Sequence, residues 1–254
     1  MLDFIWIASF PKSGNTWMRF IVAEALFDTA GDTSRVDAII PDMHHATHGL
    51  SYKWQDAHLL KTHFPYDGLP PRVNTAKAAY VVRHPLDVVN SAVQYLEPYS
   101  NDVNRRRLIG QFIENGNLNH WTNLSFGAWE YNVETWAEAA DANDDVRIFR
   151  YEDMLADPKN AIADISSFLG KDLDDERVAE IAEVTSFKAM RRLEDKDIDK
   201  GSGLFVSESK YKNREFRFLR SGKAGEYKEL LNADDVEHLV ERFKPMMDRF
   251  GYEA

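Results

Sequence analysis

The sequence contains no cysteine. Disulfides, thiolate metal ligands and cysteine nucleophiles are therefore excluded. Long apolar runs are missing too: the stretch from Phe4 to Phe10 falls far short of the ~20 residues that a membrane-spanning helix needs. No basic leader precedes it and no small-residue cleavage pattern follows it, so a secretory signal is not expected. The plain reading is a cytoplasmic protein with no membrane partner. Nor is there an excess of positive charge. Lys and Arg number 31 against 42 Asp and Glu, a formal net charge of −11, which argues against nucleic acid as a partner. Any anionic ligand must be held by a local cluster of cations, not by the overall field. Repeats, low-complexity blocks and linker-like stretches are also absent. The 254 residues, 44% hydrophobic and 29% charged, read as one domain, 1–254, with ample chain to bury a core.

What is present is an alternation of strand and helix patterns. Phe4 to Ser9, Ala57 to Thr62, Ala78 to Val82 and Val146 to Tyr151 are short apolar runs ending in turns, the pattern of buried parallel strands. Helical spacing follows at Thr16–Phe27, at Leu86, Val89 and Val93, and at Phe126–Ala140. Further helices are expected over 158–169, 174–184 and 233–249, the first opened by Asp157 and Pro158 and the last by Asn232 as N-cap. Residues 97–125 read as polar and irregular. Residues 186–224 show few apolar periods and dense charge, with Gly201, Gly203 and Gly222, and are expected to form a mobile lid or a ligand-covering segment. The fold class is α/β: one domain with a central parallel β-sheet flanked by helices. Ligands in such sheets bind beyond the carboxyl ends of the strands.

The strand ends carry the chemistry. After the first comes Pro11-Lys12-Ser13-Gly14-Asn15-Thr16-Trp17 and then a helix. Glycine allows a tight turn, the helix N-terminus contributes partial positive charge and Lys12 a full one, which makes an anion cradle. The Walker spacing G-x-x-x-x-G-K-[ST] is absent, so its magnesium arrangement is not implied. The second end carries Lys61 and His63, a cation and a titratable imidazole. The third has Arg83-His84-Pro85-Leu86-Asp87, with Ser91 farther along the helix; Arg83 and Ser91 can grip a second anionic group. Asp87 reads as a first-turn dipole partner. The fourth has Tyr151-Glu152-Asp153, with Tyr151 placed to contact a base. A nucleotide with two anionic groups and a transferable group is the physical inference.

The segments PKSGNTW, LLKTHFP, RHPLDVVNS, FRYEDM, VTSFKAM and LRSGKAGEYKEL occur in the order found in cytosolic-type sulfotransferases, and over about the whole chain the sequence resembles that family. Its length is similar to that of short bacterial members that tailor natural products. The resemblance implies 3′-phosphoadenosine 5′-phosphosulfate (PAPS) as co-substrate and no metal. It implies that Lys12, Ser13, Gly14, Asn15 and Thr16 form a P-loop-like 5′-phosphosulfate-binding loop and that Trp17 stacks on adenine. Arg83 and Ser91 would hold the 3′-phosphate, with Arg220, Ser221 and Gly222 closing over it. Tyr151, Thr185 and Phe187 would line the adenine pocket, with Met190 nearby. Lys61 and His63 would sit at the transferring sulfuryl group, His63 as base and Lys12 and Lys61 stabilising charge.

Departures from the family pattern are Ser221, where Arg-Lys-Gly is usual, and Glu226-Tyr227 within the usual Gly-Asp-Trp-Lys. In the family's dimer motif Lys-x-x-x-Thr-Val-x-x-x-Glu, the ends match at Lys228 and Glu237, whereas Asn232 and Ala233 replace the middle. The oligomeric state stays open, a homodimer included. The expected acceptor is a hydroxyl of a small molecule or peptide natural product, phenolic by virtue of Phe10, Phe64, Tyr66 and Tyr95 beside the motifs. Trp121, Phe126 and Trp129 lie in the variable region, where Phe126 and Trp129 read better as a helix core stripe. His44, His45 and His48 read as an acceptor-side loop in preference to a metal site, and the charged run 194–200 as a solvated loop face. A nucleotide-dependent kinase and a non-catalytic module binding 3′-phosphoadenosine 5′-phosphate (PAP) are the competing readings.

Overall fold

The computed structural model describes residues 2–44, 52–96, 105–206 and 217–254. Among them, five strands form one sheet: β1 (Leu2–Ser9), β2 (Lys53–Trp54), β3 (Ala57–Thr62), β4 (Val73–Val82) and β5 (Val146–Arg150). Their order is β2-β3-β1-β4-β5. β3, β1, β4 and β5 run parallel, and only the two-residue β2 is antiparallel, against β3. After β1 the chain crosses to β3 on one side and then to β4 on the other. β1 is thus the point where the winding reverses, the usual place for a ligand crevice in such a sheet.

Side chains of β1 alternate between two cores, as strand geometry requires. Phe4, Trp6 and Ala8 pack with α3 (Pro85–Leu96), α4 (Arg105–Asn115), α6 (Trp129–Ala142) and α12 (Ala233–Phe250). Ile5 and Ile7 pack with α1 (Asn15–Phe27), α2 (Thr33–Ile39), α8 (Pro158–Phe168) and α9 (Asp175–Val184). Both layers are dry where they meet the sheet: Trp6, Ile7, Tyr80, Phe20 and Trp136 are fully buried. Short helices α5 (Asn119–Asn123), α7 (Tyr151–Ala156) and α11 (Tyr227–Leu230) fill connections.

The structure corrects the sequence reading at four places. β4 begins at Val73, not Ala78, because backbone pairing with β1 continues past the apolar residues and a register shift absorbs Ala76. α6 begins at Trp129, not Phe126, since Ser125 and Gly127 have positive φ (61° and 72°) and turn the chain away from helix first. The irregular stretch 97–125 contains α4 and α5. The expected lid contains a helix of about four turns, α10 (Phe187–Lys200), capped by the Ser186 side chain. Its buried positions include Glu194 and Asp197, so a search for apolar periodicity passes over it. Asp197 accepts from Thr33 Oγ1 at 2.7 Å, and Glu194 accepts the backbone N–H groups of Phe218 and Leu219 at 2.5 and 3.3 Å. Hydrogen bonding, not hydrophobicity, lets these acids face inward. Residues 207–216 of that stretch lie outside the described residues.

Candidate active site

Parallel pairing sets the four chemistry-bearing strand ends side by side. Ala8 is in register with Thr62, Ser9 with Val81 and Val82 with Arg150. The residues that follow, Lys12, His63, Arg83 and Tyr151, therefore rim one edge of the sheet. The turn after β1 is sharp. Lys12 has φ 67° and Gly14 φ 106°, both left-handed, and a Cβ on Gly14 would lie 2.7 Å from Tyr151 Cδ2. Glycine is required there twice over, by its dihedral and by the ring against it.

Gly14 is also the N-cap of α1, and no side chain bonds the helix end. The first-turn N–H groups have no partner within a helix and face the site. Asn15 does not. Its Nδ2 donates to the carbonyl of Ile7 at 3.1 Å and to Ser9 Oγ at 3.2 Å, which makes it a brace for the turn. Ser13 Oγ, Trp17 Nε1 and Arg83 Nε are buried without a hydrogen-bond partner among the described residues. Buried polar atoms left so are costly in a finished core, and three of them around one turn fit a polar ligand that completes the site.

Arg83 is 9% exposed and is threaded through this region. It donates to the carbonyl oxygens of Lys12 (3.3 Å) and Lys223 (2.9 Å), and its guanidinium lies 4.5 Å from the Tyr151 ring centre. Tyr151 in turn meets Trp17 edge to face at 5.8 Å. The Lys12 ammonium sits over Tyr95 and Phe218, 4.1 and 4.6 Å from their centres. Thus the first, third and fourth strand ends meet, joined by 217–227. Asp87 is more than a dipole partner: its carboxylate accepts the N–H groups of Gly225 (2.7 Å) and Tyr227 (3.1 Å) and anchors that late segment to α3.

The late segment is occupied differently from the expectation. Arg220 and Ser221 both donate to the carboxylate of Glu226, the residue that replaces the usual aspartate. Gly222, with φ 66°, lies against Phe187; a Cβ would come within 2.5 Å of that ring. Phe187 itself is partly exposed. Thr185 donates its hydroxyl proton to the carbonyl of Ile181 in α9 at 2.7 Å, which leaves that hydroxyl able only to accept. Met190 is buried in the same cluster as Tyr151. Ser91 is half-buried on α3. Asn232, at the altered dimer motif, is the N-cap of α12 and accepts from Asp235 at 2.8 Å.

The second strand end faces another neighbourhood. His63 Nδ1 lies 2.7 Å from the carbonyl oxygen of Ser9. A carbonyl only accepts, so Nδ1 carries the proton and Nε2 keeps its lone pair. Burial, and next the Lys61 ammonium, push the His63 imidazole well below the ordinary histidine range, so it is neutral at pH 7. Lys61 is paired with Asp42 at 2.5 Å. Burial opposes the Asp42 charge, but the Lys61 ammonium and the hydrogen bonds from Lys61 and the His44 N–H overcome it and hold the carboxyl far below the usual carboxylate range; burial pulls Lys61 down, against Asp42.

Around His63 stand residues that the motifs did not announce. Its N–H donates to His44 Nε2 at 2.9 Å and its carbonyl accepts from Asn132 Nδ2 at 2.9 Å. Asn132, fully buried, also donates to Phe126 O and accepts from Tyr80 Oη at 2.8 Å, and Tyr80 Oη receives the Phe10 N–H. Phe126 is a buried member of the core cluster and also stands 5.5 Å from His63 and 4.7 Å from His44, so its ring serves the core and the site together from the turn before α6. Trp129 does lie in the core, against Phe243. Tyr66 packs on Trp136 and Phe10 on Trp121. Asn132 and Tyr80 carry no sequence signal, because a buried amide inside an amphipathic helix reads as solvent-facing. His45 and His48 lie outside the described residues. Among those described, no group of three or more His, Asp or Glu could hold a metal ion, and no helix is long and apolar enough to cross a membrane.

A model of the sulfotransferase domain family matches residues 2–251. Sulfotransferase 6B1 of Mus musculus is 28% identical over 99% of this chain and 80% of its own. Sulfotransferase 1B1 of Canis lupus familiaris is 30% identical over 89% and 77%. Among solved structures, mouse sulfotransferase SULT7A1 complexed with PAP aligns at TM-score 0.71 and 21% identity, over 97% of this chain and 84% of that one. Retinol dehydratase with androsterone and inactive cofactor PAP aligns at 0.73 and 18%, over 96% and 80%; at these identities the likeness is one of fold. The whole-length family match and the ordered strand ends agree: the chain belongs to the sulfotransferase family and is a sulfotransferase enzyme.

Proposed function

We propose that this sulfotransferase moves a sulfuryl group from PAPS to a hydroxyl, phenolic in the first instance, of a small molecule or peptide natural product, by in-line displacement with His63 as base. PAPS, when bound, supplies the activated sulfuryl group and leaves as PAP. The observation that carries the reading is the neutral His63, its Nδ1 proton engaged by Ser9 O and its Nε2 lone pair left for the acceptor. Nε2 takes the hydroxyl proton as the acceptor oxygen attacks.

Lys12, the α1 N-terminus and the Ser13 hydroxyl would hold the 5′ anionic groups, which fits the unpartnered Ser13 Oγ and the dipole at that end. Arg83, with its unpartnered Nε, and Ser91 would hold the 3′-phosphate, while Arg220 and Ser221 reach it by releasing Glu226. Trp17, Tyr151, Thr185, Phe187 and Met190 would line the adenine side. Positioning and charge stabilisation are the protein's main contributions to group transfer of this kind.

The retinol, androsterone and PAP named in the solved relatives support a small apolar hydroxyl acceptor and a 3′-phosphorylated nucleotide. The rings of His44, Phe64 and Phe126 beside His63 suit such an acceptor. The test is a calorimetric titration with PAP, using ADP as control without magnesium, followed by sulfuryl transfer from PAPS to para-nitrophenol and related phenols. Micromolar PAP binding that ADP does not match is expected; equal binding of the two would remove the 3′-phosphate site and the reading with it.

A further inference from the structure

We propose that His44 is a positioning residue for this reaction, whose Nε2 hydrogen bond to the His63 backbone N–H holds the base at the acceptor pocket. The proposal rests on the reading of His63 as base. β3 ends at Thr62, so the next N–H, that of His63, leaves the ladder and needs another partner. His44 Nε2 supplies it at 2.9 Å. Since the carbonyl of the same residue is held by Asn132 and its ring by Ser9, three parts of His63 are fixed by three separate elements.

His44 is itself aimed. Its own N–H donates to Asp42 Oδ1 at 3.0 Å, while the other oxygen of that carboxylate takes Lys61 at 2.5 Å. Its ring lies parallel to that of His63, 3° between planes and 5.8 Å between centres, and edge-on to Phe64 (4.6 Å) and Phe126 (4.7 Å). The aromatic contacts set where the ring is; the hydrogen bond sets what it does. Only an unprotonated Nε2 can accept, so the neutral imidazole with its proton on Nδ1 is the competent form. Among the described residues, Asp42, Lys61 and His63 are the charged or titratable groups that bear on it; Phe64, Phe126 and Asn132 carry no charge.

Two substitutions separate positioning from packing. His44→Phe keeps a ring among Phe64 and Phe126 and removes the acceptor; His44→Gln keeps an acceptor oxygen near the place of Nε2. Each is measured with saturating PAPS and para-nitrophenol for kcat and KM, by calorimetry for PAP affinity, by thermal melting, and by hydrogen exchange of the His63 amide. A misplacement of about 1 Å at a reacting group can cost about 10²-fold. His44→Phe is therefore expected to lower kcat by roughly ten- to a hundredfold and to expose the His63 amide to exchange, with PAP affinity unchanged and the melting temperature lowered by a few degrees, as one stranded N–H requires. His44→Gln should restore most of both. Unchanged kcat in His44→Phe, or equal losses in the two variants, overturns the proposal. Near-normal turnover of His63→Ala would remove the base and with it the proposal, whereas a freely exchanging His63 amide in the unaltered protein removes the proposal alone.

Discussion

The two halves of the site are built by opposite means. On the side proposed for the nucleotide, Lys12 to Trp17 are contiguous, and the turn, the helix start and the cation come from one short segment; Arg83 and Tyr151 join it because parallel strands end level. On the acceptor side almost nothing is contiguous. His63 is fixed by Ser9, His44 and Asn132, which are 54, 19 and 69 residues away along the chain. The two halves meet at Ser9, whose hydroxyl accepts from Asn15 and whose carbonyl holds the His63 ring. A half built from distant side chains fails when any one of them is lost.

The comparison predicts which half each change touches. The largest effect is expected from His63→Ala, which should lower kcat by about 10²- to 10⁴-fold while PAP affinity, by calorimetry, stays within about twofold; a matching loss of PAP affinity would mean that the halves are not separate. Arg83→Ala should act on the other side. Hydrogen bonds to a charged group are worth about 1.5–3 kcal/mol, so PAP should bind roughly ten- to a hundredfold more weakly, with little change in the acceptor KM.

Asn132→Leu tests the scattered half through stability. It strands the Tyr80 hydroxyl and the carbonyls of His63 and Phe126, each a buried group whose loss of a partner costs about 1–3 kcal/mol. Denaturant unfolding should show a loss of at least about 2 kcal/mol, together with a lower kcat. An unaltered midpoint would show that water or relaxation satisfies the stranded groups.

The smallest effect concerns pH. The folded His63 titrates well below its ordinary value of 6.5 because burial and Lys61 disfavour its charged form. The proposed base is then ready at neutral pH, and the acid limb of kcat/KM should fall below pH 6.5. The same shift means that the unfolded chain binds the proton more readily than the native one. Stability from this group is present above pH 6.5 and is lost as pH falls below it. An acid limb centred at or above 6.5 would place the base elsewhere.

How much of this was legible beforehand follows the same division. β3 is read at Ala57–Thr62 and found there, and the anion turn, Arg83 and Tyr151 are read as strand ends because apolar runs and turn chemistry are local signals. Helix α10 was not legible, since its inward residues Glu194 and Asp197 are acids made tolerable by partners far along the chain. Asn132 and Tyr80 were illegible for the same reason. Nothing in the residues around a buried amide announces a backbone carbonyl 69 positions away.

By itself, the sequence determined the class of fold, the level strand ends and the turn from Lys12 to Trp17, because hydrophobic period, turn residues and helix dipoles act over a few neighbouring residues. Tertiary structure alone decided that Lys61 pairs with Asp42, that Arg220 and Ser221 turn to Glu226, and that His63 is neutral with its Nε2 free. Those outcomes depend on which polar groups burial brings within hydrogen-bonding distance and on how far it strips them of water, and neither exists until the chain has packed.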